Sequence, residues 1–201
     1  KSVESVSFFT GDKLNHAKAN KEVILSAGAI GSPHLLQISG IGDSEKIKNQ
    51  GIDIVHELKG VGKNLQDHLM FRPVYKLKNI KSLNRDVESL YSKFLMGLQY
   101  ILKQSGPITM GASQVCAFTK SDPSRATPNL QFHVQPLSTD ILGVTPMHNF
   151  EGITPTVANI RPTSRGEINI TSNDSRDNPK IKMNYLSTED DRIVAAKSLK
   201  L

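Results

Sequence analysis

The segment best suited to chemistry is residues 28–42, which holds four glycines and follows a run at residues 21–27 that is mostly apolar from Val23 onward. We predict a buried strand over the apolar run, then a glycine turn, then a helix that Ser32 caps and Pro33 opens. Gly40 would end that helix in a left-handed conformation. A strand that passes through small residues into a helix N-terminus lets a nucleotide come close to the backbone. The order of these residues therefore predicts a nucleotide-binding turn.

This segment resembles the second signature of the glucose–methanol–choline (GMC) oxidoreductases, which are flavoproteins that oxidise alcohols. The match covers every constrained position of that signature, namely Gly28, Ala29, Ser32, Pro33, Leu35, Leu36, Ser39, Gly40, Ile41 and Gly42. The resemblance continues in family order through residues 60–68, 128–133, 161–166 and 184–187, and it is strongest toward the choline-dehydrogenase-like branch. It implies that FAD is the cofactor and that hydride passes from an alcohol CH–OH to flavin N5.

The elements expected around these motifs divide the chain near residue 70. The resemblance implies an α/β, Rossmann-like part of an FAD-binding domain at residues 1–70. Residues 71–201 would form part of an α+β substrate-binding domain with an antiparallel sheet. In that second part, apolar residues recur at helical spacing over residues 86–103. The strand candidates there are residues 72–78, 114–119, 130–135, 156–161 and 167–171.

Two features of the family are not found in these 201 residues. There is no Gly-x-Gly-x-x-Gly turn for the FAD pyrophosphate, and the family's catalytic histidine lies nearer the C-terminus of its members. We therefore expect an internal segment of a longer enzyme, inactive by itself, and we name no catalytic residue in it. The alternatives are a lyase or light-driven decarboxylase on the same FAD fold, or a truncated module without catalytic activity.

The resemblance implies two groups of FAD contacts. Ala27, Gly28, Ala29 and Ser32 would approach the ADP half of the cofactor, although small residues also serve ordinary strand-to-helix packing. The second group, in the loop that runs along the flavin cleft, is Asn64, Asp67 and His68. The alternative for this loop is that its Asn and Asp side chains only bond to neighbouring backbone. Metal binding by Asp67 and His68 is not expected, because no further ligand has suitable spacing.

Gln114 and His133 are the residues expected to contact substrate. In relatives that oxidise choline, a glutamate aligns with Gln114, and its charge faces the trimethylammonium group. A neutral amide cannot supply that attraction, so Gln114 argues against a cationic substrate. His133 aligns with a histidine of the substrate cavity, and the alternative is a histidine that bonds within its own sheet. Arg161 and Arg165 are expected to hold a turn through ion pairs rather than to touch substrate.

Composition limits the partners. The formal charge is +6 and the isoelectric point is near 9.4, but the lysines are scattered and no aromatic residues alternate with them, so we expect no nucleic acid partner. No apolar run approaches the roughly 18 residues of a membrane-spanning helix. The expected partners are a small-molecule alcohol and an electron acceptor, either oxygen or a quinone. The single cysteine, Cys116, is expected to be a buried structural thiol. The sequence assigns no compartment.

Overall fold

The computed structural model describes residues 3–111, 113–141 and 143–201, which form two compact units. Unit 1 runs to Leu65 and resumes at Gly166–Met183, and unit 2 comprises Gln66–Arg165 and Asn184–Leu201. The elements in chain order are β1 (Ser5–Thr10), β2 (Lys13–Lys18), α1 (Gly28–Ile38), β3 (Ile41–Gly42), α2 (Ser44–Lys48), β4 (His56–Glu57), β5 (Met70–Phe71), β6 (Tyr75–Lys76), α3 (Leu83–Asp86), α4 (Leu90–Lys103), the 3-10 helix η1 (Pro107–Thr109), β7 (Val115–Thr119), β8 (Leu130–Gln135), β9 (Gly152–Asn159), β10 (Glu167–Asn169), β11 (Lys180–Lys182) and α5 (Glu189–Ser198).

Unit 1 combines short helices with three strand pairs. β1 and β2 form an antiparallel hairpin, β10 and β11 form a second antiparallel pair, and β3 runs parallel to β4. The side chain of Asp43 caps α2 by accepting hydrogen bonds from two backbone N–H groups. Gly40 has φ +80° just after α1, as predicted, and an added Cβ there would lie 2.3 Å from the Asp53 carbonyl oxygen.

Two predictions about the first motif are wrong. Residues 21–27 form no strand, and Ile24 is 78% exposed. A strand needs a hydrogen-bonded neighbour, and no other described strand pairs with this run. Helix α1 begins at Gly28 rather than at Pro33, because Gly28 adopts φ +76° and turns the chain into the helix earlier. Pro33 therefore lies inside α1, and Ser32 accepts a hydrogen bond from the Ala27 N–H instead of capping the helix.

Unit 2 is built on a five-stranded antiparallel sheet. β8 lies between β7 and β9, and the other edge of β9 pairs with β5 and β6. β8 has the bounds that its sequence predicts, whereas β9 begins four residues before its predicted start and the predicted strand at residues 72–78 shortens to β6. One face of the sheet packs against α5 through Leu130, Val157 and Val194, which are all at most 2% exposed.

Helix α4 has the amphipathic pattern that the sequence predicts, but its apolar side chains are not buried. Leu90 is 83% exposed and Ile101 is 76% exposed. The predicted helix also starts later, since Ser89 caps it and residues 83–86 form the separate helix α3. Among the described residues, no helix is long and apolar enough to cross a membrane.

Cys116 is exposed, so the prediction of a buried thiol is wrong. The reason is the place of β7 at the edge of the described sheet, where four of its five residues are exposed. A strand with apolar character is buried only when another layer covers it, and strand pattern alone does not supply that layer.

Candidate functional site

The turn that enters α1 presents its backbone openly. Ala27, Gly28 and Ala29 are all exposed, and a Cβ added at Gly28 would meet no atom within 4 Å among the described residues. The Oγ of Ser32 lies 3.1 Å from the Ala27 nitrogen and so fixes the approach to the turn. Four sequence-predicted residues thus lie together on an accessible surface. Such a surface can accept a ligand at its backbone, because no bulky side chain stands in front of it.

A buried glutamine, which the sequence reasoning missed, anchors α1. Gln37 is 3% exposed, donates from Nε2 to the Ile168 carbonyl (2.9 Å) and accepts at Oε1 from the Ile170 N–H (3.0 Å). These two bonds tie α1 to β10 and to the residue that follows it. Gly62 allows this close approach, since an added Cβ would lie 2.2 Å from the Ile168 carbonyl oxygen. The signal available in the sequence was a polar residue among the apolar positions of the signature.

A charged cluster also holds β10. The carboxylate of Glu167 accepts hydrogen bonds from Lys63 (2.5 Å) and Lys46 (3.0 Å), and these lower the pKa of Glu167 to about 2. Lys46 further donates to the side chain of Asn169 (2.8 Å). This cluster joins α2 and the loop at residue 63 to β10 within unit 1. The hydrogen bond between Lys63 and Glu167 therefore holds the loop that carries Asn64 against β10. Asn64 itself has φ +60°, a conformation that Asn tolerates better than most residues.

In unit 2, Asp67 and His68 line a polar cavity of about 540 Å³. Its lining residues are Gln66, Asp67, His68, Ile160, Arg161, Pro162 and Arg165. Asp67 accepts a hydrogen bond from the hydroxyl of Tyr185, and this bond raises the pKa of Tyr185. The structure thus places two of the three predicted loop residues at one cavity; Asn64 lies in unit 1.

The two arginines of this cavity bond to backbone rather than to carboxylates. Arg161 donates to the Pro128 carbonyl (3.3 Å), and Arg165 donates to the carbonyls of Pro162 (2.8 Å) and Ser164 (2.9 Å). Within the described ranges neither makes an ion pair, so the expected ion pairs are absent there. Their role in holding the turn is carried by the carbonyl contacts instead.

Asp191 holds the loop that bears these arginines. It is 4% exposed, lies in the first turn of α5, and accepts hydrogen bonds from the N–H groups of Thr163 (2.9 Å) and Ser164 (2.8 Å). Burial raises the pKa of Asp191, but these hydrogen bonds outweigh it, so the pKa lies below its ordinary value. The sequence showed only an acidic run after residue 187 and did not identify this residue.

The sheet of unit 2 brings Gln114 and His133 to one face. His133 lies opposite Cys116 on β7 and opposite Thr156 on β9, and directly opposed residues place their side chains on the same side. Gln114 is two residues before Cys116, and its N–H bonds to the Val134 carbonyl (3.1 Å), so it continues the same face. Its side chain is exposed and donates to the sulfur of Met110 (3.0 Å). The two predicted substrate residues therefore share a surface.

Comparison with known sequences identifies the class. Residues 1–70 match the GMC oxidoreductase family. The oxygen-dependent choline dehydrogenase of Photobacterium profundum is 40% identical over 187 residues, which are 93% of this chain and 33% of that protein. The enzyme of the same name from Proteus mirabilis is 37% identical over 195 residues, covering 95% of this chain and 34% of that protein. The chain belongs to the GMC oxidoreductase family, and it spans about a third of the length of these curated relatives.

Solved structures show the same fold. A formate oxidase matches with a TM-score of 0.87 and 22% identity, over 99% of this chain and 39% of that one. A formate oxidase from Aspergillus oryzae, studied for modification of its FAD, matches with a TM-score of 0.86 and 22% identity, over the same shares. Pyridoxine 4-oxidase from Mesorbium loti matches with a TM-score of 0.75 and 23% identity, over 99% of this chain and 35% of that one. The predicted mixed helix and sheet architecture with an antiparallel sheet is confirmed.

Proposed function

We propose that this chain is part of an FAD-dependent oxidoreductase that removes hydride from an alcohol CH–OH group. The observation that carries the proposal is the 40% identity to an oxygen-dependent choline dehydrogenase over 93% of the chain. FAD, when bound, supplies the hydride acceptor at flavin N5, and the protein contributes orientation and electrostatics. The electron acceptor, oxygen or a quinone, stays a prediction.

Unit 1 is proposed to contribute FAD contacts. The exposed backbone at Ala27, Gly28 and Ala29 fits the ADP half of the cofactor, because the turn has open space in front of Gly28 and no bulky side chain. Ser32 would hold the turn in this form through its bond to Ala27. The expected FAD-binding part is residues 1–70, and this surface lies within it.

Unit 2 is proposed to contribute substrate contacts on the sheet face that bears Gln114 and His133. Their shared face lets both side chains reach one small molecule, with Gln114 as a neutral hydrogen-bonding group and His133 as a donor or acceptor. Asp67 and His68 are proposed to enclose the cofactor from the cavity that they line. The expected substrate-binding part is residues 71–201.

The test is a flavin spectrum of the purified full-length protein. We expect the visible absorption of a bound oxidised flavin, and bleaching of that absorption when an alcohol is added without oxygen. A panel of primary alcohols of differing charge would reveal the substrate class. A full-length protein that binds no flavin, or whose flavin no alcohol reduces, would contradict the proposal.

A further inference from the structure

Four side chains lie in one row across the sheet of unit 2. Cys116, His133 and Thr156 are directly opposed on β7, β8 and β9. The pairs Phe71 with Val157 and Tyr75 with Ile153 keep the same register, so Arg72 lies opposite Thr156 at the next place in the row. Arg72 and His133 therefore flank Thr156 on the face that carries Gln114.

Arg72 carries a positive charge without a carboxylate partner in the described part of the chain. Arg72 is half-buried, and its guanidinium donates from one Nη to the Oε1 of Gln135 (3.2 Å), a neutral residue that is 7% exposed. A guanidinium offers five donors in a planar fork that matches a carboxylate. A partly desolvated charge is costly unless it is paired, so this group favours an anion beside it.

The hydroxyl of Thr156 has no hydrogen-bond partner among the described residues. The residue is 4% exposed, and its Oγ1 is buried. A buried hydroxyl left without a hydrogen bond costs about 1–3 kcal/mol, so such a group in a native site calls for a ligand or another partner. Arg72 and Thr156 are adjacent in the row, and one bound oxygen-rich group would satisfy both.

The strand residues that share this face add no negative charge. The neutral ones include Gln114, Gln131, Gln135 and Thr154, and Lys76 contributes a second cation. No Asp or Glu occurs at the described strand positions of this face. The electrostatics therefore favour an anionic ligand and disfavour a quaternary ammonium group.

We propose that Arg72 and Thr156, with His133 beside them, bind a carboxylate carried by the alcohol substrate, so that the substrate is a hydroxy acid. This inference rests on the proposed function, because it assumes that the sheet face meets the alcohol. Arg72 pairs with the carboxylate, and the hydroxyl of Thr156 donates a hydrogen bond to a carboxylate oxygen. Arg72 is thus a residue that determines specificity and takes no part in the hydride transfer itself.

The first experiment compares 4-hydroxybutanoate with 1,4-butanediol in the full-length protein. We expect kcat/KM to favour the hydroxy acid, and the ratio of the two values to fall about tenfold or more in Arg72→Gln, since hydrogen bonds to charged groups are worth about 1.5–3 kcal/mol. Arg72→Lys should recover part of the ratio. The matched control is Arg192→Gln, an exposed arginine on α5 whose loss should leave the ratio unchanged.

Substitutions of Thr156 distinguish a role of its hydroxyl in ligand binding from a role in stability alone. If the hydroxyl serves the ligand, Thr156→Val lowers kcat/KM for 4-hydroxybutanoate several-fold and Thr156→Ser retains it, while the free protein is no less stable. A Thr156→Val variant with an unchanged preference and a higher free energy of unfolding would show an unsatisfied hydroxyl without function, and would overturn its part of the inference.

A binding measurement keeps this inference distinct from the proposed function. Butanoate binding, followed by calorimetry on the full-length protein, should be lost in Arg72→Gln whether or not any alcohol reduces a flavin. If neutral alcohols reduce the flavin with the same kcat/KM as the hydroxy acid, the proposed function stands and the inference fails. If butanoate does not bind the wild-type protein, the inference fails as well, and unfolding of Arg72→Gln at lower urea would then assign Arg72 a structural role through its hydrogen bond to Gln135.

Discussion

Individual glycines in this chain are required for different physical reasons. Gly28 has φ +76° with open space around its Cα, so a side chain there would be strained by backbone conformation and not by a clash. Gly62 has φ +78° and also lies against Ile168, where an added Cβ would be 2.2 Å from a carbonyl oxygen. The first glycine leaves a surface open, and the second permits close packing.

Replacing Gly28 with valine tests the open surface. We expect Gly28→Val in the full-length protein to lower the bound flavin per protein, because a branched side chain strains the turn and covers the backbone. The measurement is the ratio of flavin to protein absorbance after purification. The control is Gly51→Val, which is also exposed, has a positive φ of +73° and has no atom within 4 Å of an added Cβ, so it adds the same backbone strain outside the predicted cofactor contacts. Equal flavin content in Gly28→Val and wild type, with normal folding, would count against the assignment.

Replacing Gln114 tests charge selectivity. Gln114→Glu should raise the ratio of kcat/KM for choline to that for a neutral primary alcohol, by about tenfold if the added attraction is worth roughly 1.4 kcal/mol. Both substrates should be measured at one pH above the ordinary pKa of glutamate. A wild-type enzyme that already favours choline would show that Gln114 does not set selectivity, and so would a variant whose preference does not move.

At the scale of elements, α5 stabilises unit 2 through its first turn. Thr188 caps the helix by accepting a hydrogen bond from the Asp191 N–H. The carboxylate of Asp191 in turn accepts hydrogen bonds from the backbone N–H groups of Thr163 and Ser164. The side chain of Asn159 at the end of β9 also donates to Asp191 (3.2 Å). One buried carboxylate thus joins a helix, a strand end and the loop that lines the polar cavity.

Asp191→Asn should destabilise the chain, because an amide NH₂ would face a backbone N–H. We expect the free energy of unfolding at pH 7 to fall by about 2 kcal/mol. Since the folded pKa of Asp191 lies below the unfolded one, its contribution is present above the ordinary aspartate pKa and is lost as pH falls through the folded pKa. The difference between wild type and variant in urea unfolding should therefore shrink below about pH 4.

The matched control for this measurement is Glu189→Gln, an exposed acid in the same turn of α5. It removes a charge from the helix N-terminus and should cost at most about 1 kcal/mol. Equal losses in the two variants would mean that the charge at the helix end matters, and that the hydrogen bonds of Asp191 do not.

At the scale of the whole molecule, the chain carries one candidate cofactor turn and one candidate substrate face, in separate compact units. It spans about a third of its curated relatives, and its net charge of +6 is spread over scattered lysines and arginines. The activity proposed above is therefore that of the full-length protein. The identity over nearly the whole chain is what links both units to one enzyme family.

The 201-residue chain is expected not to hold FAD by itself. Its sequence has no Gly-x-Gly-x-x-Gly turn, so the pyrophosphate charges would lack the helix N-terminus that usually binds them. The check is to purify the chain with excess FAD, remove free flavin by gel filtration and record the visible spectrum. A stoichiometric bound flavin would refute this expectation.

Local sequence patterns were enough to predict the family, the bounds of β8, the left-handed Gly40 after α1 and the amphipathic pattern of α4. These features depend on residues close together in the chain, through side-chain alternation, helical spacing and glycine conformation. Family motifs also pointed to Gln114 and His133, although the motifs did not show that the two share a face.

Burial of side chains and pairing of strands could be read only from the folded chain. The run at residues 21–27 has strand composition but no described partner, and Cys116 is exposed because its strand is at an edge. The row that joins Arg72, just after β5, to Thr156 on β9 links residues far apart in the chain, and the absence of a described partner for the Thr156 hydroxyl has no signature in the sequence. Strand pairing and solvent exclusion depend on residues far apart in the chain, so local patterns cannot specify them.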